Sequence, residues 1–314
     1  MKKKLCRITA LLLAAVLSLG GCGQPGAGKK RTDSTQQTEE TKNKKEDQSK
    51  SDKNGPEIDG LTYESTMDLT YATEFDVYYY KDGYKLLDVH EDRQYLVVPE
   101  GKEAPEGLSE DIVVLQQPLD HIYMAATAIM SLLDAVDAID QVKFSGLNAS
   151  GWYVEDAKKA MESGDMIYAG KYSEPDYETL VNGECDLAVE STMILHTPKV
   201  QEMIEDLDIP VFVDYSSYES HPLGRTEWIK LYGAMLNKED AADSFFEKQA
   251  QVIEKLKGFE NTEKTVAYFY VNTDGSIVVR KSEDYIPSMI EIAGGRYASV
   301  SYTHLRAHET ELHL

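Results

Sequence analysis

Residues 216–259 read SSYESHPLGRTEWIKLYGAMLNKEDAADSFFEKQAQVIEKLKGF, and the fold turns on how that stretch is used. It opens as a loop of polar and aromatic residues, Ser216, Ser217, Tyr218 and His221. An amphipathic helix is predicted over Arg225–Leu236. Asn237 reads as the N-cap of a second helix, because its side chain can accept a bond from an orphan backbone N–H. Asp240 follows in the acidic first turn that a helix N-terminus favours. Ala241, Phe245, Val252 and Leu256 recur at helical spacing, with Phe246, Ala250 and Ile253 beside them. That gives a wide apolar face on a helix of about five turns, ended by Gly258. Such a helix between two strand-rich regions is either a crossover within one sheet or a strut joining two lobes.

Upstream, Phe75–Tyr80 and Tyr84–Val89 flank a Lys81-Asp82-Gly83 turn and predict a hairpin, with a further strand over Gln94–Val98 and another over Ile112–Leu115. After Pro118 the pattern changes. Strands over His121–Met124, Gln141–Phe144, Leu187–Val189 and Pro210–Val213 alternate with helices over Ala126–Val136, Val154–Met161, Tyr177–Val181 and Val200–Leu207. Short connections between alternating elements predict a parallel sheet covered on both faces. Downstream, strands over Thr265–Val271 and Ser276–Val279, a helix over Ile286–Ile292 and Gly294-Gly295 begin a second α/β unit. There is no P-loop and no Gly-rich dinucleotide turn.

At the amino terminus, Lys2, Lys3, Lys4 and Arg7 precede an apolar run from Ile8 to Leu19. This is signal-peptide order, and the run is short for a membrane span. Leu19-Gly20-Gly21-Cys22 resembles the lipobox of bacterial lipoproteins, which implies cleavage after residue 21 and lipidation of Cys22. Residues 22–60 lack the apolar content to fold and are expected to be a disordered tether. Cys185 is then the one cysteine left in the body, just before an apolar strand, so no intrachain disulfide is expected. The formal net charge of -23 argues against nucleic acid and against electrostatic adhesion to anionic lipid.

Five stretches, in order, resemble the substrate-binding lipoproteins of bacterial ABC importers for iron complexes and cobalamin. They are Pro118–Tyr123 with Leu132–Ala135, Glu174–Leu180 with Cys185–Val189, Asp208–Val213, Pro222-Leu223-Gly224 with Gly233 and Lys238–Ala242, and Ala293-Gly294-Gly295. The resemblance implies two α/β lobes with mostly parallel sheets, joined by a single long interlobe helix in the manner of class III periplasmic binding proteins. On that reading residues 61–236 form the N-terminal lobe, 237–258 the interlobe helix and 259–300 the start of the C-terminal lobe. It further implies a lipid-anchored monomer on the extracytoplasmic face, with no cofactor and no catalytic residue. The protein would capture a siderophore, haem or cobalamin and deliver it to permease and ATPase subunits.

In open α/β sheets ligands bind beyond the carboxyl ends of the strands. The loops there offer Ala126, Thr127, Trp152, Tyr153, Tyr172, Glu190, Ser191, Ser216, Ser217 and Tyr218. This is an aromatic and hydroxyl set suited to a large amphipathic ligand. Arg280 and Lys281 are placed to face an anionic chelate from the second lobe. Glu178 matches the family position that docks on the permease, although a first-turn Glu is also favoured by the helix dipole.

A zinc or manganese receptor is the alternative, with His121, Glu190 and His221 as its available ligands. A lipid-anchored hydrolase ranks below it, because Ser191 lacks the G-x-S-x-G elbow. His304, His308 and His313, with Glu309 and Glu311, look like a metal cluster. Residues 301–314, however, resemble an adapter read-through and are expected to be non-native, which makes the second lobe truncated and its apolar face uncovered.

Overall fold

The structure, a computed structural model, describes residues 55–90, 92–256, 261–262 and 264–298. The expectations for Cys22, for the helix end at Gly258 and for residues 301–314 lie outside them, as does the tether up to residue 54. Its last residues, 55–60, are corrected: Ile58 is buried against the first sheet, and the Tyr80 hydroxyl donates to the Pro56 carbonyl (2.7 Å). Five strands form a first sheet: β1 (Tyr63–Thr66), β2 (Phe75–Tyr80), β3 (Lys85–Val89), β4 (Gln94–Val98) and β5 (Ile112–Gln116). They pair in chain order, antiparallel except for β4 with β5. The Lys81-Asp82-Gly83 turn closes the expected hairpin, with Asp82 and Gly83 both at positive φ. Alternation along β2 to β4 sends Phe75, Val77, Leu87 and Tyr95 into the main core. It sends Tyr80, Leu86, Leu96 and Val98 into a second, smaller core with Ile58 and Tyr84.

The alternating segment follows: β6 (Ile122–Met124), α1 (Met130–Ala135), β7 (Val142–Ser145), α2 (Glu155–Ser163), β8 (Ile167–Tyr168), a two-strand ribbon of β9 (Gly170–Lys171) and β10 (Glu174–Pro175), α3 (Tyr177–Asn182), β11 (Leu187–Ser191), α4 (Pro198–Glu205) and β12 (Val211–Asp214). The sheet order is β12-β11-β6-β7-β8, and every pairing is parallel. The fold class is therefore α/β, as expected. The α1 helix starts later than the expected Ala126 because residues 127–129 form a turn.

The opening stretch becomes two helices, α5 (Pro222–Met235) and α6 (Glu239–Leu256). Two expectations are corrected here. The first helix is not amphipathic: Leu223, Gly224, Glu227, Trp228, Ile229, Leu231, Tyr232, Gly233, Ala234 and Met235 are all buried. The reason is its place between the sheets, where Trp228 packs on Phe75 of β2 (5.0 Å between centroids) and Tyr232 on Phe212 of β12 (5.9 Å). Nor does Asn237 cap α6, which starts two residues later. It sits at φ +57, a left-handed joint that Asn tolerates. Its Oδ1 accepts from the buried Lys85 Nζ (2.7 Å) and its Nδ2 donates to Gln117 Oε1 (3.0 Å). Lys85 also donates to the Ala234 carbonyl (2.8 Å) and pairs with Glu239, so one lysine of β3 fastens the α5–α6 joint. At the same joint Gly233 is required: a Cβ there would lie 2.7 Å from the Ala242 Cβ. On α6 the buried face is Ala242 and Phe246, with Phe245, Ala250 and Ile253 partly buried. Ala241 and Val252, expected on that face, are exposed.

The last described elements are β13 (Thr265–Val266), β14 (Phe269–Val271), β15 (Ile277–Val279), α7 (Tyr285–Ile292) and β16 (Arg296–Tyr297). β13 pairs with β16 in parallel, and β14 with β15 antiparallel. The strand expected over Thr265–Val271 is thus two short ones. Val266, Tyr268, Phe269, Tyr270, Val271 and Ile277 are between 40% and 59% exposed. Clustered exposed apolar residues on short strands favour self-association. We expect the chain 1–314 to oligomerise at micromolar concentration by light scattering, and Phe269→Ser with Val271→Ser to suppress it. A monodisperse monomer before substitution contradicts this.

Candidate ligand-binding cleft

The carboxyl ends of β6, β7, β8, β11 and β12 share one edge, because all five strands are parallel. Backbone geometry fixes the loops that leave it. Ala125 N and Ala126 N both donate to the Val189 carbonyl (3.0 Å each), and Gly146 N donates to the Met124 carbonyl (2.9 Å). A Cβ on Gly146 would lie 2.9 Å from the Ala125 Cα, so the loop after β7 passes too close for a side chain. Beyond β12, Asp214 organises the next loop. Its Oδ1 accepts from Ser216 N (3.2 Å) and Ser216 Oγ (2.6 Å), and its Oδ2 accepts from the Tyr232 hydroxyl of α5 (2.8 Å). Burial pushes the Asp214 carboxyl up to about 6, against the lowering pull of those bonds.

Large apolar side chains stand exposed along this edge. Tyr153 (97%), Tyr168 (43%), Met193 (46%) and Tyr218 (59%) each follow or end a different strand. The residues expected to touch ligand divide by burial. Thr127, Tyr153, Ser217, Tyr218, Arg280 and Lys281 are exposed, while Tyr172, Ser191 and Ser216 are half-buried. Ala126, Trp152 and Glu190 are buried and present no surface here. Trp152 packs inward because its Nε1 donates to the buried Ser145 Oγ (2.9 Å). Glu190 is fully buried, and among the described residues neither carboxylate oxygen has a hydrogen-bond partner. Desolvation alone raises its carboxyl to about 8.

Ser217 and Tyr218 meet Lys281 across a cavity of about 240 Å³, together with Arg225 and Tyr285. Arg280 is turned away, 3.6 Å from Asp284. Arg225 was not legible as a site residue. Its Nη2 donates to the Ser217 carbonyl (2.7 Å), its Nε to the Glu219 carbonyl (3.1 Å), and its guanidinium lies 3.8 Å from the Tyr285 ring centroid. One sequence signal existed: a cation near a helix N-terminus runs against the dipole and needs a local cause.

The alternative metal set is not brought together. His121 precedes β6 at the amino edge of the sheet, Glu190 lies near the carboxyl end of β11, and His221 caps α5 by accepting from Leu223 N (3.1 Å). Asp120, His121 and Asp186 do approach within 4.8 Å of one another at the amino edge. There Asp186 Oδ2 accepts from Asp120 N (2.8 Å) and His121 N (2.9 Å), a structural tie between strands. Cys185 is buried, and its thiol is pushed up to about 12 by desolvation. Such a thiol is inert. Glu178 is exposed in the first turn of α3.

No family model matches the chain. Two uncharacterized lipoproteins of Methanocaldococcus jannaschii are similar to it. One is 27% identical over 201 residues, covering 60% of this chain and 46% of the relative. The other is 23% identical over 299 residues, covering 92% and 71%. The chain thus spans about half the length of the first relative. Among solved structures, the periplasmic haem-binding protein HutB of Vibrio cholerae is 20% identical, with TM-score 0.46, over 57% of this chain and 65% of that one. The S. aureus IsdE structure complexed with haem is 18% identical, with TM-score 0.43, over 58% and 66%.

Proposed function

We propose that the protein is the extracytoplasmic solute-binding component of an ABC importer. It takes an iron chelate, haem or a corrinoid at the carboxyl edge of the parallel sheet, between Tyr153, Met193 and Tyr218 on one side and Lys281 on the other. The observation that carries the reading is the row of exposed aromatic and apolar side chains along that edge. Isolated exposed apolar residues are ordinary, but several at or just beyond the ends of four of the five strands, at one edge, make a platform for a flat, amphipathic ligand. The order of the five sequence stretches supports the same assignment. Cys22 supplies the lipid anchor, in keeping with two relatives named lipoproteins. Glu178 contacts the permease, and its exposure leaves it available. A separation of His121, Glu190 and His221 disfavours bare Zn²⁺ or Mn²⁺ as cargo.

The test is a thermal-shift panel with haemin, a ferric catecholate, a ferric hydroxamate, cobalamin, Zn²⁺ and Mn²⁺. A rise in Tm for at least one of the first four, weakened by Tyr153→Ala together with Tyr218→Ala, is expected. Stabilisation by the bare metals alone contradicts the proposal. For docking, Glu178→Ala is expected to abolish uptake in cells while leaving the Tm shift intact.

A further inference from the structure

We propose that the amino edge of the parallel sheet, opposite the candidate cleft, carries a metal site: Asp120, His121 and Asp186 hold a first-row divalent transition-metal ion that ties the starts of β6 and β11 together. The inference goes beyond the binding reading above and does not depend on it.

Strand register builds the site. Ile122 pairs with Leu187 on one side and with Val142 on the other. The residues just before these, Asp186, His121 and Gln141, therefore stand in a row at the starts of three neighbouring strands. Asp120, His121 and Asp186 each offer one donor atom, and the three atoms lie within 4.8 Å of one another. Donors bound to Zn²⁺ at about 2.1 Å stand at most about 4.2 Å apart, so these close on one ion with shifts of about half an ångström. His121 Nδ1 and Asp120 Oδ1 are already 2.8 Å apart.

The tie between the strands uses half of the Asp186 carboxylate. Its Oδ2 accepts from Asp120 N and His121 N, whereas its Oδ1 is buried and has no hydrogen-bond partner among the described residues. The same holds for Gln141 Oε1, next in the row. Glu190 apart, these are the two buried side-chain oxygens left without a partner among the described residues. Both are acceptors, and a buried acceptor of this kind calls for a water or an ion. An imidazole nitrogen beside them decides the chemistry: Mg²⁺ and Ca²⁺ take oxygen donors, while imidazole suits Zn²⁺ and its first-row neighbours.

The surroundings favour a cation. Asp120 and Gln141 line one cavity of about 610 Å³ with Glu100 and Asp140. Lys143 lines it too and opposes a cation; Lys85, also there, is committed to the Ala234 carbonyl, Asn237 and Glu239. Asp120 is exposed and His121 half-buried, so an ion has a path from solvent.

Calorimetric titration of the full chain with Zn²⁺, Mn²⁺ and Mg²⁺ tests the site. Zn²⁺ is expected to bind with a Kd below about 100 µM and more tightly than Mn²⁺, with Mg²⁺ weakest. His121→Ala and Asp186→Asn are each expected to weaken zinc about tenfold or more. Asparagine keeps an acceptor for the two backbone amides and puts an NH₂ group where the unpartnered oxygen was. Asp120→Asn, on an exposed side chain, is expected to weaken zinc as well and keeps the test open if either of the others fails to fold. Hydrogen exchange with Zn²⁺ should protect residues 118–122 and 184–187. Zinc affinity unchanged in His121→Ala and Asp120→Asn would overturn the inference. So would affinity lost instead in a His304→Ala, His308→Ala, His313→Ala variant, or no zinc binding at all at about 100 µM. If a chelate binds and zinc does not, this inference alone falls; if zinc binds here and no chelate does, the binding reading alone falls.

Discussion

Glu190→Gln is expected to stabilise the protein by several kcal/mol at pH ~8 and to change its stability little at pH ~5. The side chain sits one residue before the end of β11, fully buried, with Tyr123 of β6 and Tyr177 of α3 as the titratable groups that sense its charge. The Tyr123 hydroxyl is committed to the Gly170 carbonyl (3.0 Å), so it offers the carboxyl no proton. Neither Glu190 oxygen has another partner among the described residues, and the folded carboxyl rises from 4.5 to about 8. The sign follows from linkage. The folded state holds its proton more tightly than the unfolded chain, so the associated stability is fully present below pH 4.5 and is lost as pH rises through about 8. A shift of that size is worth as much as about 5 kcal/mol. Glutamine has the same shape and never ionises, so it removes the pH dependence. Urea unfolding of both proteins across that range checks it. Parallel pH profiles would show that Glu190 is solvated or paired in solution.

The second large effect is expected at Glu227. This buried carboxylate on α5 accepts from three successive backbone amides: Thr70 N (3.0 Å), Tyr71 N (2.7 Å) and Ala72 N (2.9 Å). Glu219, one loop earlier, accepts from the next two, Thr73 and Glu74. Together they hold five consecutive N–H groups and seat the segment leading into β2 against α5. Glu227→Ala strands three donors and removes the carboxylate 3.3 Å from Lys230 Nζ, which keeps the Asp68 carbonyl (3.0 Å). We expect a loss of about 3–5 kcal/mol by chemical denaturation. Glutamine rescues little, because half of its amide is itself a donor facing three donors. A loss below about 1 kcal/mol would mean that these amides are as well satisfied by water.

Most elements were legible. The βα alternation from Pro118 to Val213 carries its own period, and parallel strands buried on both faces read as short apolar runs. The hairpin at Asp82-Gly83 announced itself by turn chemistry. What was not legible acts at long range. Glu227 and its amides are 155 to 157 residues apart, and a backbone N–H has no residue signature. Lys85 reads as a surface residue of a strand until Asn237, 152 residues away, turns out to be its acceptor. The left-handed joint at Asn237 was mistaken for a cap because Asn serves both purposes. The α5 helix read as amphipathic because Glu227 and Lys230 interrupt its apolar run. Glu227 is buried and Lys230 half-buried, and both bond the chain's own backbone. At the site, chain order brought Trp152 and Tyr153 to one loop. Which of them turns outward depended on Ser145, seven residues earlier.

Hydrogen exchange of the full chain with and without the chelate that gives the largest thermal shift tests the cleft most directly. Protection is expected in residues 150–153, 191–196, 216–221 and 281–285, which leave the carboxyl edge of the sheet or face it from the amino end of α7. The amino-edge residues 118–122 and 184–187 should be unchanged. Protection confined to the amino edge, or spread evenly over the chain, would contradict a ligand site at the carboxyl edge.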